Sequence, residues 1–380
     1  MSRAVTLHGI TWNHTRGYLP LVATAQRFGE RFPDVAIVWQ KRSLQEFADF
    51  PIEQLAERFD LIIIDHPFVG YAATHPTLLP LDQFLPATFL ADQAANSVGD
   101  SHASYEFGGH QWALAVDAAT PVSAHRPDLL TRHEAALPDT WDELLGLARR
   151  GLVTLPAIPV DCLMNFYMLC LALGEKPFGN DWQVVSDTVG SAALELLREL
   201  VALCDPACLE RNPIRTYEAM VASDTLLYCP FAYGYVNYAR PDYTATPLRF
   251  SGLVTVHGQQ LRSTLGGTGL AIAQRCEQND IALAYVQFVT EPHTQRGMYT
   301  TSGGQPGHRA AWTDPDLNAA CDDYFARTLP TLDAAYVRPR YDGYIRFQDH
   351  AGLVVHHYLR EGGKPRSVLA ELNQLYRDSM

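Results

Sequence analysis

The sequence predicts an α/β protein of two lobes, each a mostly parallel sheet flanked by helices, with a cleft between them. Three observations carry this reading. Apolar strands alternate with amphipathic helices from the first residues onward, the pattern of βαβ units joined by right-handed crossovers. At 380 residues the chain exceeds what one hydrophobic core usually supports. A glycine-rich apolar strand over 266–273 comes late in the chain and rejoins the first sheet, so each lobe is discontinuous. Residues 1–117 with 259–314 form the first lobe, and residues 118–258 with 315–380 the second.

Each element has a local reason. Residues 5–11 mix β-branched and apolar side chains and read as a strand. The polar stretch from Trp12 to Tyr18 reads as a loop, with Pro20 where a first helical residue belongs. Leu21, Ala25, Phe28 and Phe32 then recur at helical spacing. Residues 35–39 make a second strand. Residues 60–65, D-L-I-I-I-D, make a third, a continuous apolar run expected of a parallel strand buried on both faces. A strand over 113–116 leads through Asp117 into the second lobe, where Thr140 and Glu143 form a capping box. Strands over 152–155 and 225–229 and helices over 161–173 and 191–204 follow, then a return crossing at 253–256. Hinges fall at 117–122 and 253–259, and the C-terminal stretch reads as helices that include 345–360 and 366–377.

Composition excludes several function classes. Hydrophobic content of 47% with 19% charged residues is that of a globular protein. Twenty-nine basic against 42 acidic side chains give a net charge of −13 with no basic run, which argues against nucleic acid or an anionic membrane as partner. The longest apolar stretch, 162–173, is interrupted by Asn165 and falls short of the roughly 20 residues of a membrane span. Eighteen tyrosines suit a cleft that stacks rings against a ligand.

Seven cysteines leave at least one thiol unpaired and form no regular framework. Cys204 and Cys208 read either as a local disulfide of an exported protein or, preferably, as two half-buried thiols at a helix end. No second close Cys or His pair completes a zinc site, and no dinucleotide or phosphate-loop fingerprint follows the first strand, so neither metal nor cofactor is expected. Met1, Ser2 and Arg3 run straight into a strand without an apolar leader. Either an export signal is missing from the sequence or the protein stays in the cytoplasm, and the natural-looking start favours the second.

In open α/β sheets, ligands bind beyond the carboxyl ends of strands. That rule selects Trp12, Asn13, His14, Arg16 and Tyr18 after the first strand, Asp65 and His66 after the third, and Asp117 at the crossing. It adds Asn165 in the loop region 156–165, Tyr233 and Tyr235 in the second lobe, and Gly267, Thr268, Gln305, Arg340 and Tyr341 late in the chain. Asn13, Asp65, Asp117 and Gln305 suit sugar hydroxyls, with Trp12, Tyr233, Tyr235 and Tyr341 covering the C–H faces. His14, Arg16, His66 and Arg340 are more cationic than a neutral sugar needs, which keeps an acidic sugar or small organic acid as a rival ligand. Each has a plainer reading. Trp and Tyr at strand ends are often core, D-H-P is turn chemistry for Asp65, Arg340 is a surface salt-bridge residue, and Gly266–Gly267 is a tight turn.

Five fragments in order carry a resemblance: W12-N-H-T-R-G-Y, D60-L-I-I-I-D, G108-G-H-Q-W-A-L-A-V, G266-G-T-G-L-A-I-A and R338-P-R-Y-D. Together they resemble extracellular solute-binding protein family 1, the sugar-binding proteins of ABC transporters, over nearly the whole chain. The resemblance implies a type II periplasmic-binding-protein-like fold that closes by a hinge around a sugar or sugar acid. It also implies an ABC permease as partner. The order of fragments is more specific for fold than for ligand. A second reading keeps the same fold as a cytoplasmic enzyme or sensor acting on a small carboxylate or thioester, with His14, Asp65 and His66 as the proton-transfer set. No nucleophile motif supports it.

Overall fold

The computed structural model describes residues 5–380; the expected start at Met1, Ser2 and Arg3 lies outside them. In chain order the principal elements are β1 (Val5–Trp12), α1 (Thr15–Arg31), β2 (Val35–Arg42), β3 (Leu61–Ile64), β4 (Leu114–Ala119), β5 (Pro121–His125), α2 (Trp141–Arg149), α3 (Pro159–Ala172), α4 (Asp187–Leu203), β6 (Tyr228–Tyr233), β7 (Arg249–Ser251), β8 (Gly266–Ile272), α5 (Asn279–Thr290), α6 (Tyr344–Glu361) and α7 (Pro365–Ser379). Two compact units result. The first holds the chain up to 119, with 265–329 and 340–342; the second holds 120–264, 330–339 and 343–380.

The return crossing thus lies at 264/265, beyond the expected 253–259. Side-chain hydrogen bonds explain the delay. The Thr120 hydroxyl donates to Ser263 Oγ (2.6 Å) and to the Thr264 carbonyl (2.8 Å), and Ser263 Oγ donates to the Pro121 carbonyl (2.7 Å). Residues 315–329 fall in the first unit rather than with the C-terminal helices. Phe325 packs on Trp312 at 5.0 Å, and the Tyr324 hydroxyl donates to Gln305 Oε1 at 3.1 Å.

In the first unit the sheet order is β2-β1-β3-β8-β4, with β8 antiparallel to both neighbours. All four residues of β3 are buried, as the continuous apolar run requires of a strand covered on both faces. Leu7, Leu61, Ile63, Leu270 and Ile272 join Phe28, Trp39, Tyr285 and Val289 in one core cluster. The Tyr285 hydroxyl sits inside it without an orphaned polar atom: Trp39 Nε1 donates to it at 3.1 Å, and it bonds Thr24 Oγ1 at 3.0 Å. Helix α1 begins at Thr15, five residues before the expected start. His14 is its N-cap, accepting the Arg16 N–H on Nδ1 at 3.0 Å, so Arg16 and Tyr18 occupy the first turn and Pro20 lies inside the helix.

The second unit departs from the expected mostly parallel sheet. Its three strands run β6-β5-β7, both outer strands antiparallel to β5. The expected strand over 152–155 contributes one parallel bridge, Val153 to Tyr228, because Pro156 ends its pairing after the backbone bonds of Leu152 and Thr154. Most of this unit's core is helical. From Asp161 to Cys170, α3 is buried without interruption and packs against α4 and α6, as a helix hydrophobic all round must. The rings of Tyr167, Phe347 and Tyr376 surround Phe178 at 5.5, 5.5 and 5.1 Å. The capping box of α2 forms as read, with both Thr140 and Glu143 engaged. Cys204 and Cys208 are free thiols, both buried. Among the described residues, no helix is long and apolar enough to cross a membrane.

Candidate functional site

In the first unit, parallel β1, β3 and β4 bring their carboxyl ends to the edge of the sheet where antiparallel β8 begins. Two residues beyond the Ile10–Ile62 pair, β1 ends at Trp12 and β3 at Ile64, which is followed by Asp65. On β8, Gly269 stands opposite Ile64 and Thr268 opposite Asp117. Trp12, Asp65, Thr268 and Asp117 therefore form a row across the strand ends, as the carboxyl-end rule selects. The register shifts between Thr268 and Gly269, and Gly267 holds φ +94°. A Cβ at Gly267 would lie 2.4 Å from the Asp117 carbonyl, so glycine is what lets β8 approach β4 there.

Two polar atoms in this row have no hydrogen-bond partner among the described residues. Trp12 Nε1 and Thr268 Oγ1 belong to residues only 3% and 4% exposed. A buried donor or hydroxyl left without a partner costs about 1–3 kcal/mol, an outlay that an incoming polar ligand recovers.

The charged residues of the row are already engaged. Arg16 Nε donates to Asp117 Oδ2 at 2.8 Å and Arg16 Nη2 donates to Oδ1, a bidentate pair whose side chains are 4% and 0% exposed. Burial pushes the Asp117 carboxyl upward and the Arg16 guanidinium pulls it back. Arg16 and Asp117, both expected to meet the ligand, are thus paired with each other within the protein. The His14 imidazole, half-buried and using Nδ1 as a cap acceptor, is depressed to about 3 by burial and then by Arg16. It stands neutral, so the cationic surplus inferred from these loops is absent from this edge.

Asp65 caps the following turn. Its Oδ1 accepts the His66 N–H at 2.8 Å and lies 3.2 Å from His66 Nδ1, while the buried His66 ring meets Tyr105 edge-on at 6.5 Å. Trp12, expected to cover a sugar face, is buried in the first unit. Its ring packs against Phe47 at 5.5 Å and Arg16 at 5.9 Å and fills the space above Gly17, leaving its N–H edge as the polar handle. Asn13 is exposed, and Tyr18, half-buried, lies under Lys41 at 5.1 Å.

Gln305 and Arg340 both make hydrogen bonds within the first unit. Gln305, fully buried, donates to the Ala118 carbonyl at 2.7 Å and accepts from Tyr324. Arg340 Nη1 donates to the carbonyls of Ala103, Ser104 and Glu106 at 2.7–3.0 Å, with its guanidinium 5.8 Å from the Phe107 ring. Gly70 lies directly against the Arg340 carbonyl, where a Cβ would be 1.7 Å away, and Tyr341 is half-buried beside it.

In the second unit, the parallel Val153–Tyr228 bridge sends 153–155 and β6 toward the same sheet edge. Beyond that edge lie the turn into α3 and the residues from Tyr233 to Tyr235. Asn165 is buried and donates to the Pro156 carbonyl at 3.3 Å. Tyr235 is buried, its ring in a T-shaped contact with Tyr217 at 6.4 Å, whereas Tyr233 is half-buried with its hydroxyl 3.2 Å from Thr264 Oγ1. Within the region 156–165 the sequence reading singled out Asn165 but not Asp161, in the first turn of α3. It is 4% exposed, its Oδ2 has no hydrogen-bond partner among the described residues, and burial raises its carboxyl to about 8. The signal was present in the stretch from Pro159 to Met164: one acid within a helix that is apolar on every other face.

Neither a protein-family model nor a curated protein sequence matches this chain. Solved structures do match its fold along the whole length. Maltose-bound MalE3 of T. maritima superposes with a TM-score of 0.84 at 17% identity, covering 99% of this chain and 100% of that one. The GacH receptor of Streptomyces glaucescens GLA.O, solved unliganded and with acarbose, gives 0.82 at 18% identity over 98% of both chains. An ABC transporter solute-binding protein from Agrobacterium radiobacter K84, in complex with ribitol, gives 0.82 at 18% identity over 99% of both. The chain has the two-lobe fold of these solute-binding proteins.

Proposed function

We propose that the protein is a solute-binding protein, the substrate-binding component of an ABC-type uptake system, that reversibly holds a small polyhydroxylated ligand at its strand-end loops. The observation that carries the reading is the pair of buried, unpartnered polar atoms, Trp12 Nε1 and Thr268 Oγ1, in one row with Asp65. The structural neighbours that bind maltose, acarbose and ribitol support a carbohydrate or polyol as the ligand class.

Between the two ligands the sequence left open, the neutral one is favoured. Arg16 is bound to Asp117, Arg340 to three carbonyls, and His14 is neutral, so the groups that would have held an acid are occupied. The same engagement of His14 and Asp65 in capping speaks against the proton-transfer reading. Titration calorimetry with neutral sugars and polyols tests the proposal. Thr268→Val, which keeps the shape and removes the hydroxyl, should weaken binding about tenfold while leaving the apo protein as stable as before. Unchanged affinity in both Thr268→Val and Asp65→Ala would remove the site.

A further inference from the structure

Within the second unit, one buried acid, Asp161, has a carboxyl oxygen without a hydrogen-bond partner among the described residues. The turn into α3 is well anchored: the Ala157 N–H donates to the carbonyls of Cys208 and Arg211, both at 3.1 Å. The arginine of this loop cluster is taken, since Arg211 Nη2 donates to Asp205 Oδ2 at 3.0 Å and Nη1 reaches Thr154 Oγ1 at 3.4 Å. Asp161 and Asn165 stand four residues apart on α3 and so share a face. Asn165 is satisfied by Pro156, but Asp161 Oδ2 has no donor among the described residues. The buried thiols of Cys162 and Cys229 both feel the Asp161 charge, and neither offers it a positive one.

A buried carboxyl oxygen without a donor is costly to the fold, and buried polar groups in native proteins are nearly always paired. This one lies just past the carboxyl end of a strand segment, at the head of a helix of 14 residues, where ligands of α/β sheets are held. We propose that Asp161 is the ligand-contacting carboxyl of the second unit, and that it selects ligands bearing hydroxyl or protonated amine donors over ligands bearing a carboxylate. The inference rests on the solute-binding reading above. Once Asp161 is ionised, above its raised value of about 8, a hydroxyl or ammonium supplies the missing donor, whereas a ligand carboxylate would place two negative charges in contact without a cation between them.

The test uses the whole chain and matched trisaccharides that differ in charge: maltotriose, the chitosan trimer and trigalacturonate, together with glucose, glucosamine and glucuronate. Calorimetry at pH 9, where Asp161 is ionised, should show wild type binding neutral or aminated members at least tenfold more tightly than the acids. Asp161→Ala should lose at least tenfold in affinity for the preferred member. Asp161→Asn, which keeps the shape and an acceptor but carries no negative charge, should retain the neutral sugar within a few-fold and narrow the discrimination against acids by at least tenfold. If the alanine variant fails to fold, the asparagine variant carries the test through that specificity ratio. Wild-type preference for the acids, or unchanged affinity and selectivity in the Asp161 variants, would overturn the role of Asp161 while leaving the first-unit site standing. Binding of no member by wild type would remove both readings.

Discussion

The Arg16–Asp117 pair is the strongest single commitment in the first unit, and removing one partner should be severe. Both side chains are essentially buried, and the guanidinium grips the carboxylate through two hydrogen bonds. Arg16→Met leaves Asp117 as an uncompensated buried charge between β4 and β8, and Asp117→Leu strands the guanidinium. Loss of one partner from such a pair costs about 3–5 kcal/mol, while replacing both with apolar residues of similar volume is often close to neutral. For a unit of this size each kcal/mol moves the midpoint by about 2–4 °C, so either single variant should melt about 6–20 °C lower. Tryptophan fluorescence during urea and thermal unfolding is a suitable readout, since Trp12 lies 5.9 Å from the guanidinium. The double variant should recover most of the loss, giving a coupling energy above about 2 kcal/mol. A single variant costing less than about 1 kcal/mol, or a double variant no better than the two losses added, would refute the argument that the pair is desolvated and interdependent.

Two titrations should tilt the pH profile in opposite senses. His14 is depressed from 6.5 to about 3 in the folded state, so its contribution is intact above 6.5 and is lost as pH falls toward 3; His14→Ala should cost about 1 kcal/mol as a lost cap and flatten that acid limb. Asp161 is raised from 3.8 to about 8, so its contribution is full below about 4 and is lost as pH rises through 8; thermal midpoints of Asp161→Asn should exceed wild type at pH 8 and match it at pH 4. Gly267→Ala should destabilise by about 1–3 kcal/mol, because the new Cβ meets the Asp117 carbonyl at a φ that L-residues avoid, and denaturant midpoints will read it.

The sequence by itself determined the elements and their order. The apolar run of β3, the helical spacing of Leu21, Ala25 and Phe28 and the capping box of Thr140 and Glu143 are local properties, and a short window of residues contains all the physics they need. It also placed Trp12, Asp65, Asp117 and Thr268 at one sheet edge, since the carboxyl-end rule follows from strand order alone. What it could not contain was which partner each polar side chain would find. Arg16 meets Asp117 across 101 residues, Arg340 reaches the 103–106 carbonyls across more than 230, and Gln305 bonds Ala118 across 187. These pairings give expected ligand-binding side chains partners inside the protein. Burial is likewise a tertiary property: it covered the rings of Trp12 and Tyr235, held His14 neutral and left Asp161 without a donor. Periodicity reports which face of an element turns inward, but only the packed chain decides whether a polar group there is satisfied by the protein or left for a ligand.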